Sequence, residues 1–311
     1  MKTKYLAFAA SLAWLASCSN DDVPQDNLKD TPITVTAGVA ELTTRAGYVG
    51  TNVLPETFYL SIDQTVDTYD YYNVLMKNVS GAWKGYEPDE TTEKQLLWAN
   101  GTDKVSVTAA TFSFAEAQTL MAEADQSTAD GVKKSDHLLM AATDVTPSST
   151  GISVNFSHIM SKVILTITLG DEFNSETNPI TDVKFMETLA SRSFDHTAET
   201  KWSDISDATT TDIIPLCNAY TAPTTDKPNA TAEYEVILIP QTVAANGFTV
   251  IFNVGDRLFK WTSESAVTLE GGYKYTLDLT AGKDIVSSAT FSASAWNTGE
   301  GDDNKLNDET E

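Results

Sequence analysis

The side chains best suited to covalent or metal chemistry in this chain are few and scattered. There are two cysteines, Cys18 and Cys217, and three histidines, His137, His158 and His196. A thiol can serve as nucleophile, metal ligand, disulfide partner or acyl acceptor, and an imidazole as proton shuttle or zinc ligand. No histidine has a cysteine or carboxylate at metal-ligand spacing, and no G-x-S-x-G elbow, P-loop or dinucleotide fingerprint occurs. The 44 acidic residues guarantee carboxylate pairs by chance, whereas a glycosidase pair is defined by its separation in a fold. No catalytic residue, metal site or cofactor is therefore assigned, and a non-enzymatic function is expected. His158, within Phe156-Ser157-His158-Ile159-Met160, reads as a packed or hydrogen-bonded structural residue.

Cys18 has the context that Cys217 lacks. It ends the apolar run Leu12-Ala13-Trp14-Leu15-Ala16-Ser17, which follows Lys2 and Lys4 and is too short to span a bilayer. A charged start, a short apolar run and small residues before the cut make residues 1–17 a secretory leader. Leu15-Ala16-Ser17-Cys18 resembles a bacterial lipobox, which implies that Cys18 is acylated and heads the mature chain. Acyl chains anchor at about 0.8 kcal/mol per buried methylene. Ser19-Asn20-Asp21-Asp22 resembles the acidic tag of lipoproteins displayed on the outer membrane of Bacteroidetes-type bacteria. With Cys18 so used, no disulfide is available to the mature body, and Cys217, in Ile213-Ile214-Pro215-Leu216-Cys217, reads as a small buried hydrophobe.

The elements that must position any site are strands. Ile33, Val35, Ala37 and Val39 alternate with polar or small residues; so do Val163, Leu165, Ile167 and Leu169, Phe248 to Val254, and Tyr273 to Leu279. Period two marks strands with one buried face, and the continuous run Val236-Ile237-Leu238-Ile239 suits a strand covered on both. Only Ala115 to Ala124, rich in Ala, Glu, Gln, Leu and Met, reads as a short surface helix. Polar, Gly- and Pro-bearing stretches punctuate the strands, the strongest at Gly170 to Pro179. About seven strand candidates on each side predict an all-β chain of two tandem β-sandwich domains of Greek-key type. The expected organisation is leader 1–17, linker 18–30, sandwiches 31–169 and 170–297, and a disordered acidic tail 298–311.

The 311 residues are 41% hydrophobic, ample for a core. A formal charge of -24 opposes nucleic acid and anionic membrane surfaces as partners. Five tryptophans outside the leader, Trp83, Trp98, Trp202, Trp261 and Trp296, invite a carbohydrate-binding reading. Trp98 and Trp296 close apolar, strand-like segments and read as core plugs. Trp83, beside Gly81, Gly85 and Tyr86, reads as lying in a loop and is the candidate glycan contact. A surface glycan-binding lipoprotein is accordingly the alternative function.

Four segments taken in order resemble the fimbrillin family of Bacteroidetes, the FimA-like and Mfa-like pilins. They are Val154-Asn155-Phe156-Ser157-His158-Ile159-Met160-Ser161-Lys162-Val163, Leu238-Ile239-Pro240-Gln241-Thr242, Leu269-Glu270-Gly271-Gly272-Tyr273-Lys274-Tyr275-Thr276-Leu277 and Ala295-Trp296-Asn297-Thr298-Gly299. Before them the match is the lipobox, one strand and Leu42-Thr43-Thr44-Arg45-Ala46-Gly47. The resemblance implies transthyretin-like sandwiches, a fimbria on the outer membrane as location, and a tip, anchor, accessory or shaft role. It implies other fimbrial subunits as partners, the outer membrane through the lipid anchor, and a host or bacterial surface glycan or protein as ligand. It also implies proteolysis at Arg45-Ala46 and loss of the strand bearing Ile33, Val35, Ala37 and Val39. Loss of that strand would uncover unpaired backbone and an apolar groove for a strand of another subunit to fill. Ile285 to Trp296 is the segment left to serve as donor.

Overall fold

A computed structural model describes residues 27–39, 54–114, 117–205, 209–283 and 286–296. The first half runs through β1 (Val35–Val39), β2 (Thr57–Asp63), β3 (Tyr71–Val79), β4 (Ala82–Tyr86), β5 (Glu93–Lys94), β6 (Val105–Ala110) and β7 (Gln118–Met121). Then come α1 (Ala129–Ser135), β8 (Leu138–Val145) and β9 (Ile152–His158). The second half holds β10 (Ser161–Leu169), β11 (Ile180–Leu189), β12 (Ser191–Phe194), β13 (Thr210–Ile213), β14 (Leu216–Thr221) and β15 (Thr231–Leu238). It ends with β16 (Gln241–Val243), β17 (Thr249–Val254), β18 (Arg257–Thr262), β19 (Val267–Leu269), β20 (Tyr273–Ala281) and β21 (Val286–Ala295). The chain is thus nearly all β, with sandwich-like sheets.

Eight strands of the first half form one sheet, in the order β1-β9-β8-β6-β2-β3-β4-β5. Its ends curl together until β1 lies against β4, so one sheet encloses a core that includes Phe58, Val107, Val154 and Phe156. In the second half a five-stranded sheet, β14-β15-β10-β20-β21, faces a four-stranded one, β13-β11-β17-β18. Val163, Leu165 and Ile167 from one sheet and Phe185, Val250 and Phe252 from the other belong to a single buried cluster. Alternation along β10, β17 and β20 follows from this, each strand giving one face to the core.

One expectation is corrected. The stretch read as a helix, Ala115 to Ala124, holds β7, which pairs antiparallel with β12 from Met121↔Ser191 to Gln118↔Phe194. Cross-strand hydrogen bonds outweigh a helix preference of a few tenths of a kcal/mol per residue. The helix lies downstream, where Thr128 accepts a capping hydrogen bond from the Gly131 N–H at 3.3 Å, Asp130 sits in the first turn and Lys133 and Lys134 in the last. Among the described residues the chain passes from the eight-stranded sheet to the five-stranded one at Ile159–Met160. β10 pairs antiparallel with β15 and parallel with β20, in the middle of the five-stranded sheet.

The segment between β6 and β8 crosses to the second half. Ala122 and Val132 join its core, and Gln126, fully buried, donates to the Ile237 carbonyl and accepts from the Ile237 N–H, both at 2.8 Å. Ile214 exchanges backbone hydrogen bonds with Ala124 and Gln126 at 2.9 Å. A column of buried polar and aromatic groups follows. Asp136 meets His158 Nδ1 at 2.7 Å, and His158 stacks on Trp296. Lys162 Nζ lies 5.4 Å from the Trp296 ring centre and 2.9 Å from Glu235. The structural reading of His158 and the core-plug reading of Trp296 and Trp98 hold, all three being buried.

Candidate functional site: the seam closed by the first strand

The other seven strands of the sheet do not close on themselves; residues 28–39, which include β1, fill the gap. On one side β1 runs parallel to β9, pairing Val35↔Ile152, Ala37↔Val154 and Val39↔Phe156, and the Ile152 N–H donates to the Thr34 carbonyl at 2.8 Å. On the other side the preceding residues bond to the rim that follows β5. Ile33 N donates to the Leu96 carbonyl at 2.8 Å, Trp98 N to Thr31 at 3.0 Å, and Asp30 N to Trp98 at 2.9 Å. Leu28, Ile33, Val35 and Val39 are buried in the core and Ala37 packs against it half-buried. The structure thus brings the predicted removable strand residues Ile33, Val35, Ala37 and Val39 together on one inward face.

The rim is held from behind by residues that strand patterning does not reveal. Gln64, buried, donates to the carbonyls of Tyr69 at 2.6 Å and Leu97 at 3.0 Å and accepts from Ala99 N at 2.9 Å. Tyr71 Oη accepts from Leu97 N at 2.8 Å. These bonds fix Leu96 to Ala99 without help from β1. At the other end Gly151, with φ of +85°, passes so near that an added Cβ would lie 1.9 Å from the Thr34 carbonyl oxygen. Only glycine permits that approach.

Trp83 is placed differently from the expectation of a loop: it sits in β4, half-buried, its ring tilted against Phe58 with centroids 4.6 Å apart. It flanks a cleft of about 350 Å³ shared with Ile33, Met76, Glu93 and Leu96. The candidate glycan contact and the first residue of the removable strand therefore line the same opening. Cys217, read as buried, is exposed on the edge strand β14, its thiol pushed up by partial desolvation. The other named residues, Cys18, Arg45 and Ala46, lie outside the described residues. Trp202 packs on Phe194 at 4.8 Å and Trp261 on Phe248 at 6.3 Å, as parts of the core boundary.

Solved structures share this fold. A proposed cell adhesion protein from Bacteroides uniformis superposes with a TM-score of 0.57 at 14% identity, over 86% of this chain and 98% of that one. A second, from Bacteroides ovatus, gives 0.56 at 18% identity over 84% and 97%. No curated protein sequence matches the chain. A family model described as fimbrillin-like matches residues 32–296, from the entry to the seam through the Trp296 plug, and on that match the chain belongs to the fimbrillin-like family.

Proposed function

We propose that this protein is a structural or adhesive subunit of a surface fimbria, in a tip, anchor or accessory position or in the shaft. In this reading the leader 1–17 is removed, Cys18 is acylated, and the lipid holds the subunit at the outer membrane. An arginine-specific protease then cuts Arg45-Ala46, and the segment that closes the seam leaves with the lipid. A strand of another subunit takes its place by donor-strand exchange, with backbone hydrogen bonds supplying strength and alternating side chains supplying register.

The observation that carries the reading is that residues 28–39 are hydrogen-bonded on both sides, to β9 and to Leu96–Trp98, yet belong to an N-terminal segment ending before Arg45. After one cut, those bonds and the packing of its side chains would be all that holds the segment in place. Vacated, the seam would expose buried Ile152, Val154 and Phe156 along an unpaired edge, a strong template for another strand.

The test is the N-terminus of the protein recovered from its own cells, read by mass spectrometry in membrane and sheared-filament fractions. Ala46 at the filament N-terminus supports the proposal. Filaments whose subunits still begin at acylated Cys18 would refute strand removal as the assembly step.

A further inference from the structure

We propose that Lys162 and Glu235 form a covalent cross-link site: an amide between Lys162 Nζ and the Glu235 side chain, made inside the folded chain with loss of one water. The bond ties β10 to β15 in the five-stranded sheet. Cys217 is the one cysteine among the described residues and is free, so the amide supplies the loop closure that a disulfide would otherwise give.

Three observations lead there. First, the two reactants are buried in contact. Lys162 stands opposite Ile237, so Glu235 is its diagonal neighbour on the adjacent antiparallel strand, within reach of a long side chain. Nζ lies 2.9 Å from Oε1, and the two side chains are 2% and 1% exposed. In the ion pairs of Lys77, Lys84, Lys94, Lys104 and Lys134 every side chain is at least 28% exposed. Burying an ion pair costs the desolvation of two charges, and a neutral amide carries neither. Reactants held in contact also escape the entropic cost that opposes condensation between free molecules.

Second, the two oxygens of the Glu235 carboxylate differ. Oε2 accepts a hydrogen bond from Asn218 Nδ2 at 3.1 Å. Oε1 accepts none, since the amine lies beside it out of hydrogen-bond alignment. Oε2 is therefore held to carry the charge that develops when Nζ adds to Cδ, and Oε1 is the oxygen that leaves.

Third, a backbone irregularity aims Asn218. The β14–β15 register shifts between Cys217↔Tyr234 and Ala219↔Glu233, which leaves Asn218 as the extra residue of a bulge, a device that redirects a side chain. Its amide also reaches Glu233 Oε1 at 3.4 Å.

The step needs no co-reactant. The Nζ–Cδ bond forms as the Cδ–Oε1 bond breaks. Two of the three ammonium protons pass to Oε1, which leaves as water, and the third stays on the amide nitrogen. Nothing is oxidised or reduced.

The test is the intact mass of the full chain without its leader, purified and held at growth temperature, together with a peptide map. The expected mass is one water short, and trypsin should leave Lys162 uncut and release a branched peptide joining it to Glu235. Lys162→Met with Glu235→Leu, which removes both reactants, should return the full mass. Asn218→Ala keeps both reactants and should slow the linkage at least about tenfold. A parent chain that keeps its full mass throughout would overturn the proposal, as would a loss of water that the double variant retains or that maps to other residues. Linkage as fast in Asn218→Ala as in the parent would overturn the part given to Asn218.

Discussion

His158 lies flat on Trp296, ring centroids 3.7 Å apart and planes within 8° of parallel. One residue ends β9 of the eight-stranded sheet and the other follows β21, so the stack joins the two halves of the chain. Trp296→Ala should destabilise the protein by about 3–5 kcal/mol in urea unfolding. A double-mutant cycle with His158→Ala should return a coupling of about 0.5–1.5 kcal/mol. Additive effects would show that the stack contributes only burial.

The adjoining pair Lys162–Glu235 is buried on both sides, which separates two outcomes. Removing one partner, as in Glu235→Ala, leaves an uncompensated buried charge and should cost about 3–5 kcal/mol. Replacing both, as in Lys162→Met with Glu235→Leu, should restore most of that stability. If the double replacement is as damaging as the single one, the pair does more than neutralise itself.

At the seam, Gly151→Ala combines positive φ with a collision against Thr34. The expected result is weaker retention of β1, read as faster hydrogen exchange at Ile152 and earlier proteolysis after Arg45.

Tyr234, buried in β15, has its pKa pushed up to about 12 by desolvation, against which a weak hydrogen bond from Asn178 acts. The folded state favours the neutral phenol. Its contribution is therefore complete below the ordinary value of 10.0 and is lost as pH rises toward about 12. Tyr69, Tyr220 and Tyr275 are raised as well, so tyrosinate absorbance should show a late-titrating component that Tyr234→Phe reduces by one group.

Exposed Cys217 makes a simpler prediction. The native protein should react with a thiol reagent without denaturant, slowly at neutral pH because the thiol is held up by desolvation. A need for denaturant would return Cys217 to the core.

Much of the architecture is legible in the residue pattern because half-buried strands write their exposure directly into period two. β1, β10, β17 and β20 are readable in this way. The run Val236 to Ile239 is continuous because the outer side of β15 is covered by α1 and Gln126, a cause invisible locally. The helix misread at β7 has a similar origin: its partner β12 lies far away in sequence. The seam was half visible. Ile33 to Val39 announce themselves by alternation, whereas Gln64 and Tyr71 act through hydrogen bonds to a rim that no spacing rule connects to them.

The crossing segment between β6 and β8 bears on how the two halves hold together. Its Ala122 and Val132 are part of the second-half core, and Gln126 is bonded to a strand there on both sides of its amide. Parting the halves requires breaking these bonds, the β7–β12 ribbon and the His158–Trp296 stack. The two halves are therefore tied at several separate points, and no single broken contact frees one from the other.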